Sequence, residues 1–504
     1  MTPADLARGT AEAAAIADSW TREGGPGGAI VLFGPGGPAG AAAGGLASLE
    51  HGIPFTPATP SRWASISKSF CAATAVLAGF DLASPLGTLV PGLPDGIAAV
   101  RLEQALDMTG AIPDLMETLW LLGQPFTASL SETELLDLCR RLPGTGGMPG
   151  AEMAYSNTGW RLVAAAFAAM RGEEYGQALR RLVLEPLGLE EVAFPGDEAV
   201  PVPGLATPYW RDGGRWRRGR YGLHFSPSGG LAGSAEALAR WGAALLAGRG
   251  PMHGMLDRLS APRPFPDGAE SFYRLGLSTQ ELDGLALVGH GGSLPGIKTH
   301  LLLAPTSECG VALISNREDT DPLWLALRIM SAMTGRALPQ PARLPPGRYA
   351  EEQGEGWAEA EGETFSFMGV ADRLFAARGG ARTLPAYLEA ELQLAADGGI
   401  EGRIGGVHRH LLPVPDDTVL DPALHGRWRN AAFGVSLEVR ADGTALLPGI
   451  HPRESCRLLP LPHGRAVAER WHGPWRARPL LWLQEDGTLR LVSHRSRVLS
   501  FERC

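Results

Sequence analysis

Three short stretches hold side chains that can attack a carbonyl or move a proton. They are Ser65 and Lys68 in WASISKSF, Tyr155 and Asn157 in MAYSNTGW, and His290, Gly292 and Ser293 in VGHGGSLP. Lys68 draws attention first. Of the 45 lysines and arginines in the 504 residues, only Lys68 and Lys298 are lysine. A guanidinium keeps its proton inside a protein, whereas a buried amine can lose it. A lysine retained against so strong a bias suits a role that needs the neutral amine. Three residues separate Ser65 from Lys68, which on a helix sets them on one face one turn apart. The apolar run 70–77 continues that helix, so Ser65 falls at its N-terminus, where backbone N–H groups can face a developing oxyanion. A serine nucleophile needs a base. Lysine can serve if its pKa falls from about 10.4 towards 7 through burial and neighbouring charge. Ser67, at i+2, points elsewhere. The plainer reading is a surface lysine near a helix start, because Ser-x-x-Lys recurs by chance in long chains.

Residues 149–170 repeat the pattern of a polar cluster before a helix. If the chain is extended at 155–157, Tyr155 and Asn157 point to one side and Ser156 to the other. A phenol can shuttle a proton, and a carboxamide can orient the lysine or a substrate amide. The alternative is a plain helix cap at Asn157 or Thr158. In 285–300 an apolar strand runs into His290, Gly291, Gly292 and Ser293. Glycines there let another backbone or a substrate approach, and His290 can fix a polar group. The alternative is a solvent-exposed turn.

The elements that must position these groups are also legible. Strand-like pieces at 29–33, 286–289, 300–303 and 311–315 bracket a helical middle, as in a sheet built from both ends of one domain. Residues 1–20 read as an amphipathic helix without the basic start of a secretory signal. The uncharged stretch 25–49 is broken by glycine and proline. It reads as a strand, a turn and a loop, not a membrane span. Asp321 and Pro322 open a helix, and four prolines follow it between 339 and 346. Beyond them, short alternating runs separated by Asp-Gly turns at 397–398, 442–443 and 486–487 predict β-structure. Gly-Arg-aromatic opens two pieces, at Gly347 and Gly426, consistent with two similar small β-barrels. The domains expected are 1–338, 339–418 and 419–504.

Composition excludes several function classes. A net charge of −9 argues against a general nucleic-acid binder; the basic run 211–222 reads as a hairpin showing arginines to water. Five scattered cysteines imply free thiols and a reducing, cytoplasmic compartment, with Cys71 as a small buried apolar residue. His408 and His410 lack metal-ligand partners and read as one strand face, so no metal is expected.

Taken in order, Ser65-x-x-Lys68, Tyr155-x-Asn157 and His290-x-Gly292 resemble the penicillin-recognising serine hydrolases, whose Ser-x-x-Lys element is well known. Histidine in the third element, with two C-terminal β-pieces, resembles the D-aminopeptidase branch near the class C β-lactamases. The resemblance covers essentially the whole chain. It implies an α+β fold: a β-lactamase-like catalytic domain with a central antiparallel sheet, followed by two antiparallel β-barrels. It also implies a hydrolase for amides, esters and short peptides with an N-terminal D-residue, working through an acyl-enzyme and needing no metal or cofactor. Ser65 would be the nucleophile, Lys68 its base and Tyr155 the donor to the leaving amine. The N–H groups of Ser65 and Ser293 would form the oxyanion hole, and Asn157 and His290 would hold the substrate. Esterase or D-specific carboxypeptidase activity, or binding of cell-wall fragments without turnover, are the alternatives. Small peptides or amides are the expected partners, without nucleic acid or membrane; a homodimer is left open. By the same resemblance a loop of the last barrel reaches the active site. The segment 469–482 is the candidate, with Trp471, Trp475 and Arg476 as substrate contacts. Its arginines would favour a carboxylate over an ammonium, unless they point to solvent while the tryptophans pack.

Overall fold

Alternation along AIVLF organises the first part of the chain. In the computed structural model, which describes residues 4–449 and 455–504, Ala29, Val31 and Phe33 pack into one core and Ile30 and Leu32 into another. Successive side chains of a strand face opposite ways, so a strand apolar at every position must be covered on both sides. The cover on one side is α1 (Leu6–Glu23), whose buried Ala13, Ile16, Ala17 and Trp20 recur at helical spacing. Asp5 caps its first turn by accepting from Arg8 N at 3.0 Å. Then come β1 (Gly28–Gly34) and β2 (Gly37–Gly44), followed by a helical region containing α2 (Ser67–Leu77), α3 (Thr158–Arg171) and α4 (Ala235–Ala247). The chain then returns to the sheet as β3 (Ser278–Leu282), β4 (Leu285–Leu294), β5 (Ile297–Ala304) and β6 (Cys309–Ser315), and closes with α5 (Pro322–Thr334). The strand order is β2-β1-β6-β5-β4-β3, antiparallel throughout. α1 and α5 cover one face, joined by Asp5 N to Met333 O at 2.7 Å; α4 and the helical region cover the other.

The loop expected within 25–49 is instead β2. Its run of glycine and alanine carries no strand propensity, but α1 lies directly on it. A Cβ on Gly44 would collide with the Ala17 carbonyl, so small residues let the helix reach the sheet, and pairing with β1 supplies the hydrogen bonds.

After α5 come two closed eight-stranded barrels, with strands from Gly347–Ala350 to Val407–Pro413 and from Gly426–Asn430 to Ser496–Arg503. In each, the opening Gly-Arg-aromatic strand pairs with the last strand, and its aromatic, Tyr349 or Trp428, is buried inside. The Asp-Gly dipeptides turn between strands with glycine φ near +80° (Gly398 82°, Gly443 80°, Gly487 82°). The run 209–218 is a hairpin, and among the described residues Cys71, Cys139, Cys309 and Cys504 are in no disulfide. Among the described residues, no helix is long and apolar enough to cross a membrane.

Gly44→Ala should loosen α1 from the sheet at a cost of about 1–3 kcal/mol, read as a lower thermal midpoint. Gly36→Ala, where an added Cβ meets nothing within 4 Å, should leave the midpoint unchanged.

Candidate active site

Ser65 lies in a single 3-10 turn, Ala64–Ile66, that runs into α2. Ala64 is held at φ +49°, a conformation that costs a residue with a side chain about 1–3 kcal/mol and needs support from its surroundings. The support is close packing by β4 and β5. Thr299 Oγ1 donates to Trp63 O at 2.9 Å, and Trp63 N donates to Leu231 O at 2.8 Å. A Cβ on Gly292 would collide with both Thr299 Oγ1 and Trp63 O. Glycine at 292 therefore lets β4 press against the turn that presents Ser65.

Lys68 is 0% exposed. Its Nζ lies 3.1 Å from Ser65 Oγ, 2.9 Å from Asn157 Oδ1 and 2.8 Å from Ser228 O. The last two oxygens can only accept. A neutral amine would give its two N–H groups to them and turn its lone pair to the Ser65 hydroxyl. An ammonium would fill the same three contacts by donating to all of them, leaving the serine unactivated. Burial drives the pKa of Lys68 well below the ordinary value; the Asp114 carboxylate opposes the shift and the Arg495 guanidinium assists it. Asn157 keeps Asp114 at a distance. Its N and Nδ2 donate to Asp114 Oδ2 at 2.7 and 2.8 Å, which leaves Oδ1 as the face shown to Lys68.

Tyr155, 2% exposed, places its ring 4.9 Å from Lys68 Nζ. Burial pushes its pKa up, with the nearby Ser65 hydroxyl pulling the other way. Among the described residues no hydrogen-bond partner holds the phenol in place. It is thus a neutral O–H, suited to donating a proton and ill suited to being a phenolate base. His290 is also neutral, its pKa lowered to about 3 by burial and by Lys68. Its Nδ1 lies 2.5 Å from Gly291 O and its Nε2 2.7 Å from the Tyr273 hydroxyl. The Nδ1–H tautomer satisfies both, so the ring nitrogens are engaged within the protein and His290 orients Tyr273. Ser293 Oγ accepts from Lys298 Nζ at 2.8 Å, and Lys298 pairs with Glu318 at 2.7 Å. The second lysine thus has a partner that the sequence did not suggest.

Both barrels reach this centre. Tyr387, from the first barrel, packs edge-on against Tyr155 with ring centroids 5.6 Å apart. Arg495, from the turn between Leu489–Ser493 and Ser496–Arg503 of the second, lies 4.8 Å from the Tyr155 ring and 5.4 Å from that of Tyr387. Its backbone N donates to Glu117 at 3.2 Å and its guanidinium lies 3.9 Å from the same carboxylate. The expected cationic loop is corrected here. It forms a side hairpin, Arg470–His472 with Trp475–Ala477. Arg476 pairs with Glu469 at 2.5 Å and Arg478 with Glu359 of the first barrel. Trp471 is 54% exposed. The hairpin's own acid and a neighbouring barrel thus neutralise these arginines, and neither Trp471 nor Arg476 joins the Ser65 cluster. Trp475 reaches its border, donating to Glu318 Oε1 at 2.9 Å and packing on Trp120 and Phe126.

Sequence reasoning missed Asp114, Ser228, Tyr273, Tyr387 and Arg495. Arginine is so common here that Arg495 carried no signal. Tyrosine did: the chain has only seven, and Tyr155, Tyr273 and Tyr387 meet at one point.

Comparison with known proteins adds the following. The family model described as Beta-lactamase matches residues 13–329. A D-aminopeptidase of Gluconobacter oxydans (strain 621H) is 26% identical over 341 residues, covering 65% of this chain and 64% of that protein's length, slightly under two thirds. The octameric penicillin-binding protein homologue from Pyrococcus abyssi superposes with a TM-score of 0.58 at 18% identity, over 99% of this chain and 100% of that one. The D-amino acid amidase from Ochrobactrum anthropi SV3, complexed with L-phenylalanine, gives 0.55 at 24% identity, over 64% and 98%. At these identities the two structures speak to the fold.

Arg495→Gln should raise the pKa of Lys68, because it removes a positive neighbour; buried Glu117 would take up a proton rather than stay as an unpaired charge. Less neutral amine then exists at a given pH, so the acid limb of the rate of p-nitrophenyl ester cleavage should move to higher pH. Arg495→Lys should restore it. A limb that stays put or moves lower contradicts the electrostatic role.

Proposed function

We propose that this chain, which belongs to the Beta-lactamase family, is a D-stereospecific serine hydrolase of the D-aminopeptidase type. In this reading it opens amides, esters or short peptides beginning with a D-residue. The observation that carries the reading is the buried Lys68 amine, 3.1 Å from Ser65 Oγ and otherwise facing only carbonyl-type oxygens. The relative named as a D-aminopeptidase supports the choice of substrate class.

In the proposed mechanism Lys68 takes the Ser65 proton as Oγ bonds to the carbonyl carbon. The oxyanion is met by the backbone N–H groups of Ser65 and Ser293. Tyr155 passes its proton to the leaving nitrogen as the C–N bond breaks, and recovers one from the Lys68 ammonium. Water then enters by the reverse path: it gives a proton to Lys68 and bonds to the acyl carbon, and Lys68 returns that proton to Ser65 Oγ as the C–Oγ bond breaks. Asn157 fixes the amine throughout and keeps Asp114 from trapping it as an ammonium.

One observation favours a second reading. The carboxylates near Ser65 are already engaged: Asp114 by Asn157, Glu117 by Arg495, and Glu318 by Lys298 and Trp475. The guanidinium of Arg495 is the charge beside Tyr155. A carboxylate on the leaving D-residue would suit it, as in a D-specific carboxypeptidase.

The p-nitroanilide of D-alanine against its L-form, and acetyl-D-alanyl-D-alanine, separate the readings. Turnover of the D-anilide, with the L-form at least 100-fold slower, is expected. Release of D-alanine from the acetylated dipeptide alone would support the second reading instead. Ser65→Ala and Lys68→Arg should each lower kcat by about 10³-fold or more. A fully active Lys68→Arg enzyme would remove the basis of the mechanism.

A further inference from the structure

A cavity of about 390 Å³ lies where β4, β5 and the start of α5 meet the first barrel. That volume falls within the range of small-molecule sites. Trp324, Leu327, Phe375 and Leu384 form an apolar wall, and Gly292 and Tyr387 are shared with the Ser65 cluster. We propose that this cavity is a subsite for an apolar, preferably aromatic, uncharged or cationic group of the molecule that acylates Ser65. This proposal rests on the hydrolase reading above.

Four features of the molecule point this way. First, Ser65 is hemmed in by Tyr155, which in turn is covered by Tyr387 and Arg495. A substituent much larger than a methyl group needs adjoining room, and Tyr387 lines both spaces. Second, the wall is preformed. Asp372 accepts from the backbone N–H groups of Ala386, Tyr387 and Leu388 at 3.2, 2.9 and 2.8 Å. One carboxylate therefore fixes the loop that carries Tyr387, and the cavity need not be organised by its ligand. Third, the carboxylates lining the cavity are engaged within the protein: Glu318 by Lys298, Asp319 by Arg317, Asp321 by Arg373 and Asp372 by backbone N–H groups. Both lining cations, Lys298 and Arg373, are thus already paired and offer little to an anion, and the aromatic faces of Trp324 and Phe375 accept a flat apolar group. Fourth, His300 lines the cavity while 2% exposed, and its Nε2 has no hydrogen-bond partner among the described residues. A polar atom on the ligand would relieve that deficit. The two halves of the cavity come from different parts of the chain, which gives the first barrel a part in substrate choice.

The test compares p-nitroanilides of D-alanine and D-phenylalanine on the full chain. Leu384→Trp fills the cavity and should lower the ratio of kcat/KM for D-phenylalanine over D-alanine at least tenfold, with an unchanged thermal midpoint. Trp324→Ala, which strips the wall, should lower the same ratio. An unchanged ratio in both variants, or an equal loss on both substrates, overturns the proposal. If the native chain turns over neither anilide, the hydrolase reading fails separately and the cavity is tested by calorimetry. Phenethylamine should bind the native chain, at least tenfold more weakly to Leu384→Trp, and 3-phenylpropionate at least tenfold more weakly than the amine. No saturable binding of phenethylamine, or binding that Leu384→Trp leaves intact, overturns it.

Discussion

A fully buried amine whose described contacts are a hydroxyl, a carboxamide oxygen and a backbone carbonyl is the constraint on which this site depends. A charged ammonium loses several kcal/mol of hydration when buried. The protein offers Lys68 oxygen acceptors in return, but not a counter-charge. Asp114 is near enough to matter, yet the Asn157 carboxamide stands between them. Lysine thus keeps two good hydrogen bonds in its neutral form and gains little from protonation. Exchange of Asn157 for a carboxylate would reverse that balance. The same reasoning explains the surroundings of Tyr155 and His290, whose burial holds both neutral. The groups nearest the Lys68 amine are thus uncharged donors and acceptors.

The barrels complete that environment. Arg495 adds positive potential at the Tyr155 ring, and Tyr387 covers the same ring from another direction. Their placement is secured close by. Glu152, three residues before Tyr155, lies 3.0 Å from Arg409 of the first barrel and 2.9 Å from Arg497 of the second. Burial alone would raise the pKa of Glu152, but Arg497 and Arg409 hold it at about 2. A carboxyl depressed in this way stabilises the folded state above its ordinary range. That contribution is lost as pH falls from the ordinary carboxyl value towards 2. Above that window the three parts of the chain are clamped at full strength within a few residues of the site.

Much of this was legible from residue types and spacing. Ser65 and Lys68 meet because i and i+3 share a helix face. The Asp-Gly dipeptides mark strand turns because glycine tolerates positive φ. The Gly-Arg-aromatic tripeptide recurs where each barrel begins, and each barrel buries that aromatic in its core. Two kinds of feature were not legible. β2 was hidden because its side chains are nearly absent, and only the nearness of α1 explains them. Arg495 and Tyr387 were hidden because their roles arise from how separate parts pack together, which local pattern does not encode. The hairpin at 470–477 misled for a related reason: its basic sequence is cancelled by Glu469 and Glu359, one of them 110 residues or more distant in the chain.

Having only two lysines makes the central claim open to direct observation. Labelling lysine with ¹³C at Cε should give two NMR signals, and loss of one in Lys298→Arg would assign the other to Lys68. The account predicts that the Lys68 signal titrates well below about 10.4, the value of an unperturbed lysine. A Lys68 signal that titrates at or above that value would mean the amine is charged beside Ser65, and would contradict the account.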